Sequence, residues 1–164
     1  MPRAWLFGDD LDTDQILPGR YAPFMVGQDK FHLHAFCDAR PGFAKDVRPG
    51  DVLVGGENFG CGSSREYAVA ALKRLGVGGV VAKSFARIFF RNCVNLGIPV
   101  VESADAVGRF ADGDTVTLDL AAGALRGPQG DAPLRPVAPF AREILAAGGV
   151  VAYLRAHGDF PRTG

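Results

Sequence analysis

Between Asp51 and Val101 the chain alternates between two hydrophobic periods, and that alternation limits the fold more than any other feature of the sequence. DVLVGG (51–56) is a continuous β-branched run closed by glycine, the pattern of a strand buried on both faces. REYAVAALKRL (65–75) places apolar residues at 68, 69, 71, 72 and 75, the stripe of an amphipathic helix, and Gly76 suits its carboxyl end. GVVA (79–82) is again a strand, SFARIFFRNCVNLG (84–97) a helix stopped by Gly97, and IPVV (98–101) a third strand. Strand, helix, strand, helix, strand at these short intervals predicts an α/β fold, with a parallel or mixed sheet covered by helices.

The flanks add to this centre without forming a second one. Arg3 to Phe7 is a candidate first strand, ended by the turn-rich GDDLDTD (8–14). Residues 18–50 are irregular: PGRYAPF cannot be a helix interior, and Phe31 to Phe36 and Phe43 to Val47 fit short helical turns in a surface excursion. Beyond Ala111, DGDTVTLDL (112–120) and ALRG (124–127) form a predicted hairpin, and PFAREILAAGGVVAYLRAHG (139–158) a helix with a glycine interruption. No repeat or linker divides the chain, and its 164 residues suit one domain spanning 1–164.

Lys plus Arg number 18 and Asp plus Glu 18, so no global field favours nucleic acid or an anionic membrane surface, and any anion must be held locally. No apolar run approaches a membrane span, and Asp9 and Asp10 interrupt the amino terminus before a secretory segment forms; a cytoplasmic protein is expected. Cys37, Cys61 and Cys93 are odd in number and far apart, unlike a disulfide framework or a zinc or cluster motif, and read as reduced structural thiols.

The loop GENFGCGSSRE (56–66), directly after a strand and before a helix, is the chemically informative stretch. Ser63 and Glu66 have capping-box spacing, and the glycine-rich turn Gly60, Cys61 and Gly62 at a helix start is a receptor for carboxylate or phosphate. Arg65 adds a two-point carboxylate contact, and a second serine, Ser64, exceeds what a cap requires. The same residues also fit a tight turn before an ordinary cap. Nucleotide motifs fail: Cys61 stands where a Walker A loop has lysine, and Arg65 where a dinucleotide fingerprint has glycine. Cys61 has no local base motif and reads as a small filler of the turn.

DTDQILPGRY, GENFGCGSSRE, KSFARIF and RNCVNLGIP, four blocks in the family's order between about Phe7 and Val101, resemble the aconitase family, specifically small subunits of the 3-isopropylmalate dehydratase type. These subunits correspond to the family's swivelling carboxyl-terminal domain. The resemblance implies a β/β/α fold and a hydro-lyase that removes and restores water on a hydroxy dicarboxylic acid. It implies that Ser63 is the base, acting as alkoxide, and that Ser64 and Arg65 hold a substrate carboxylate. Thr13 and Asp14, with Asp12, match a motif near the substrate, although an Asx-turn ending the first strand explains them equally. It further implies that this chain binds no cofactor itself, and that a separate large subunit carries a [4Fe–4S] cluster, without which the chain is inert. Alone, the chain would expose its partner-facing surface and self-associate weakly.

The segment after DTDQILPGRY is where the family reads the substrate's variable group. Ala22 to Val26 carries no cation, and Phe24 and Val26 present apolar surface, which favours isopropylmalate; Arg20, just upstream, is the one residue able to favour a third carboxylate. Dimethylmalate, homoaconitate and citrate-type acids share the malate end and remain alternatives. Ser84 is expected to cap the second helix, Lys83 and Arg87 to pair with acids, and His32 and His34 to lie on the surface. A non-catalytic binding module, as in relatives that bind RNA, is the competing class, and the neutral charge opposes it.

Overall fold

The structure is a computed structural model that describes residues 1–161; positions 162–164 of the expected domain lie outside the described residues. After strand β1 (Ala4–Leu6), single helical turns α1 (Thr13–Ile16), α2 (Pro23–Val26) and α3 (Phe43–Asp46) lead to β2 (Val52–Gly55). There follow α4 (Glu66–Arg74), β3 (Gly79–Ala82), α5 (Arg87–Leu96), β4 (Val100–Glu102) and the short α6 (Ala106–Arg109). The last third holds β5 (Thr117–Asp119), β6 (Ala124–Arg126), β7 (Ala132–Pro133), α7 (Pro139–Ala147) and α8 (Val150–His157).

β1 to β4 form one four-stranded sheet in chain order, every pair parallel, with Trp5 opposite Leu53 and Val81 between Val54 and Val101. The mixed alternative is thereby corrected: the antiparallel strands β5, β6 and β7 make a separate sheet. The continuous apolar strands have a physical cause in this layering. Leu53, Val80 and Val100 face one cluster with Ala68, Leu72 and Phe89 of the helices, whereas Val52, Val54 and Val81 face a second cluster with Val116 and Leu125 of the antiparallel layer. Both faces of the central sheet are dry, so alternation would have placed polar groups in a core. The layers are antiparallel sheet, parallel sheet and helices, the expected β/β/α arrangement.

Residues 18–50 depart from the predicted surface excursion. Phe31, Phe36 and Phe43 are among the largest fully buried side chains, and Phe36 packs on Phe7 and Phe43 at centroid distances of 4.6 and 4.8 Å. Aromatic anchors fold the segment onto the sheet edge because each ring removes a large apolar area from water. His32 and His34 are half-buried rather than superficial: His34 stacks on Tyr21 at 3.9 Å, and burial with the charge of Arg74 lowers the His32 pKa. α6 and β7, short and weakly patterned, were not readable from the sequence.

Asp51 fastens the sheet's start. It accepts from Trp5 Nε1 and the Arg3 and Arg48 N–H groups, each at 2.9 Å, with its side chain fully buried. Burial by itself would raise its pKa, but these donors and the nearby Arg3 charge outweigh it and hold the carboxyl below its ordinary value.

Candidate functional site

The site is built on a crossbar. Residues 59–61 run between two other segments, bridged through Asp12 opposite Cys61 and Phe59 opposite Phe85. On one side the Gly60 N–H donates to Leu11 O at 2.7 Å and the Thr13 N–H to Cys61 O at 2.9 Å; on the other, Phe59 N donates to Ser84 O and Ala86 N to Phe59 O, both at 3.0 Å. The glycines here serve close approach. Gly60 has φ +83°, and a Cβ on it would lie 2.1 Å from the Phe89 ring; one on Gly62, φ +91°, would lie 2.5 Å from the Asp12 carboxylate. Of the expected anion loop, Gly60 has thus spent its N–H on Leu11, while the N–H groups of Cys61 and Gly62 have no acceptor among the described residues.

The predicted capping box at Ser63 and Glu66 does not form. α4 starts at Glu66 with Arg65 as N-cap and no side-chain cap bond, because Ser63 is held off the helix: its carbonyl accepts from the Thr13 hydroxyl at 2.8 Å. The capping box sits instead on α1, where Asp14 N donates to Asp12 Oδ1 at 2.6 Å and Asp12 N to Gln15 Oε1 at 2.8 Å. The Asx-type reading of Asp12 was therefore sound, and the serines are left exposed. Ser84 likewise does not cap α5, which begins at Arg87 after an uncapped Ala86; the Ser84 hydroxyl accepts from Asn58 N at 2.7 Å.

Arg65 is fixed through one nitrogen. Its Nη1 lies 3.1 Å from Asp14 Oδ1 and donates to the Tyr67 hydroxyl at 3.0 Å. The guanidinium presses so closely on Gly19 that a Cβ there would stand 2.8 Å from Nη1, and Gly19 N itself donates to Asp14 at 3.1 Å. α1 thus places both functional residues: Thr13 grips Ser63 and Asp14 grips Arg65.

These groups open on a cleft of about 200 Å³. Its lining includes Gly62, Ser63, Ser64 and Arg65 of the loop with Thr13 of α1, and Arg87, Ile88 and Asn92 of α5. Sequence reasoning missed Ile88, Asn92 and Tyr67, and it gave Arg87 an acidic partner that it lacks: among the described residues neither Arg87 nor Lys83 has an ion pair. The available signal was Ile88, which sits off the buried stripe of α5 (Phe89, Cys93, Val94) and is 50% exposed. Five expected residues lie outside the cleft lining: Asp14 and Cys61, which reach it only through Arg65 and the loop backbone, and Arg20, Phe24 and Val26. Arg20 is bound to both oxygens of Asp38 at 2.6 Å, an exposed pair that raises the arginine pKa and lowers that of Asp38; Phe24 is 81% exposed and Val26 half-buried.

Burial, then the charges of Asp12 and Asp10, raise the Cys61 thiol pKa, which disfavours the thiolate. Among the described residues no group of three or more His, Cys, Asp or Glu side chains is placed to hold a metal ion, and no helix is long and apolar enough to cross a membrane. A larger groove of about 640 Å³ between residues 120–123 and α7 is mainly apolar, and its arginines are engaged, Arg135 with Glu102 and Arg142 with Val137 O. The Ser63 cleft instead gathers two serine hydroxyls, the Thr13 hydroxyl and two arginines.

Residues 14–105 match the model of the aconitase C-terminal domain. The homoaconitase small subunit of Thermus thermophilus is 59% identical over 98% of this chain and 99% of its own length, and a 3-isopropylmalate dehydratase small subunit of Deinococcus radiodurans is 53% identical over 98% and 90%. The crystal structure of the 3-isopropylmalate dehydratase LeuD of Methanocaldococcus jannaschii superposes with a TM-score of 0.88 at 42% identity, covering 96% of this chain and 93% of that one. With the domain model matched over more than half its residues and relatives of this identity covered along nearly their full length, the chain belongs to the aconitase C-terminal-domain family.

Proposed function

We propose that the chain is the small subunit of a hydro-lyase that interconverts 2-isopropylmalate and 3-isopropylmalate by dehydration and rehydration, with residues 1–164 acting as one swivelling domain on a large subunit. The observation that carries this reading is that Ser63 and Arg65 share one cleft and are both anchored by α1, at 2.8 Å through Thr13 and 3.1 Å through Asp14.

The chemistry follows from that geometry. Ser63, as alkoxide, takes the proton from the carbon beside a substrate carboxylate; the C–H electrons form the double bond, and the hydroxyl leaves from the adjacent carbon. Rehydration exchanges the positions: hydroxyl adds to the carbon that lost the proton, and the Ser63 hydroxyl gives its proton to the carbon that lost the hydroxyl, which yields the other isomer and restores the alkoxide. Unpaired N–H groups of the loop and the Arg65 charge lower the cost of the alkoxide, and the free edge of Arg65, with Ser64, holds the carboxylate. Departure of hydroxide calls for a Lewis acid, and the residues of this chain do not fit a metal or cluster: the three cysteines are separate, with Cys93 buried. On this reading a [4Fe–4S] cluster carried by the large subunit would supply that Lewis acid, while this chain supplies the base and the carboxylate site. The exposed Phe24, Met25 and Leu33 support a surface that a partner covers.

A second reading, a homoaconitase small subunit, is favoured by the 59% identical Thermus relative. The cation-free segment Ala22 to Val26 and the engagement of Arg20 by Asp38 favour the alkylmalate. The deciding experiment reconstitutes the chain with its large subunit and compares kcat/KM for 3-isopropylmalate and homoaconitate. The alkylmalate is expected to win by about tenfold or more, the effect of an unpaired buried carboxylate; a clear preference for homoaconitate replaces the substrate with that acid. In the same complex Ser63→Ala is expected to abolish turnover while leaving assembly intact, since the Thr13 contact uses the main chain of residue 63. Near-normal turnover by that variant removes the base assignment.

A further inference from the structure

The cleft has two charged residues in its lining among the described residues, and both are arginines. They differ in state. Arg65 is partly neutralised by Asp14 and held by Tyr67, whereas Arg87, on α5, is exposed and has neither an ion pair nor a hydrogen bond within the described residues. Most other arginines of the chain are tied to an acid or a carbonyl, among them Arg3, Arg20, Arg40, Arg109, Arg126, Arg135 and Arg142. An unpaired guanidinium in the same cleft as Ser63 is therefore not the general habit of this surface. Asn92, five residues along α5, lines the same cleft, and Ile88 lies between them as exposed apolar surface.

We propose that Arg87, assisted by Asn92, is a second carboxylate-binding residue of this cleft, so that one arginine from the loop and one from α5 receive the two carboxylates of a dicarboxylic substrate. This rests on the reading of Ser63 as base and deepens it. Charge matching is the physical reason: a dianion meeting Arg65 and its Asp14 partner finds little net positive charge, and Arg87 supplies the missing unit. Its planar fork binds a carboxylate at two points, and the Asn92 amide adds a donor beside it. A substrate stretched between the two arginines passes Ile88, which gives an alkyl branch an apolar surface to lie on.

The test uses the complex with the large subunit and the variants Arg87→Gln, Asn92→Ala and Arg91→Gln. Arg91 is one turn along the same helix, exposed, and outside the cleft lining. Arg87→Gln is expected to raise KM by about ten- to hundredfold with kcat changed by less than about threefold, and Asn92→Ala to raise it a few-fold, whereas Arg91→Gln stays at the wild-type value. Competitive inhibition by succinate is expected to weaken in Arg87→Gln by a similar factor, while inhibition by butyrate, with one carboxylate, is not. A merely structural role shifts both inhibitors together. Unchanged KM, equal loss of both inhibitors, or weakened assembly with unchanged KM overturns the proposal. Each of these leaves Ser63 untouched; retained turnover in Ser63→Ala is the separate result that overturns the underlying reading.

Discussion

Arg65 has one guanidinium nitrogen occupied and its other edge free, and this asymmetry decides what substitutions do. Nη1 is shared by Asp14 and Tyr67, so the group is oriented before any ligand arrives, and the remaining nitrogens keep a planar face for a carboxylate. Arg65→Lys preserves the charge but cannot meet Asp14, Tyr67 and a carboxylate together. It is expected to raise KM by roughly tenfold or more in the assembled enzyme, with a smaller change in kcat; steady-state kinetics check this, and a KM within twofold of wild type contradicts it. At this scale the gathering of the serines and Arg65 at one cleft was legible in the sequence, because they follow one another in a single loop. Tyr67 and Asn92 were not, because their roles come from α4 and α5 approaching the loop, which no local spacing encodes. Arg87 was misjudged for the same reason: an acid partner was assumed, and the fold provides none.

Helices and strands were readable wherever a periodic stripe met a buried face, as in α4, whose Ala68, Val69, Ala71 and Leu72 are all buried, and in β2 and β3. Caps were less readable. Ser63 and Glu66 have the right spacing, yet Thr13 claims the Ser63 carbonyl and draws the serine away, a tertiary contact overriding a local motif. The crossbar of residues 59–61 shows the same dependence, since its glycines look like flexibility and act as clearance. Gly60→Ala is expected to destabilise by roughly 2 to 5 kcal/mol, combining a left-handed backbone with a clash against Phe89. Gly123 offers the control: its φ is +70° but nothing lies within 4 Å of an added Cβ, so Gly123→Ala should cost only about 1 kcal/mol. Urea midpoints of the two variants measure the difference, and equal losses would show that backbone strain, not clearance, is the constraint.

Across the whole molecule, the sheet's polar anchor and the site's arrangement act at different ends of the same strands. Asp51, buried at the start of β2, has a folded pKa below the unfolded one, so its ionised form stabilises the native state at neutral pH, and this contribution disappears as pH falls below the ordinary carboxylate value of about 4 towards the folded pKa. Asp51→Asn is expected to lose roughly 2 to 3 kcal/mol at pH 7 and progressively less from about pH 4 downward. Urea unfolding of both proteins across that range checks the sign; a gap that stays constant with pH assigns the loss to packing. At the other end of β2, the chemical loop is bolted to two stretches of chain, whereas the turn of α2 projects Phe24 and Met25 into solvent at 81% and 61% exposure. Mutations in that turn are shielded from the bolted loop. If that turn reads the substrate, as proposed, selection can redraw the shape of the acid a descendant accepts without touching the loop, in keeping with relatives as near as the Thermus and Deinococcus subunits bearing the names of two different enzymes.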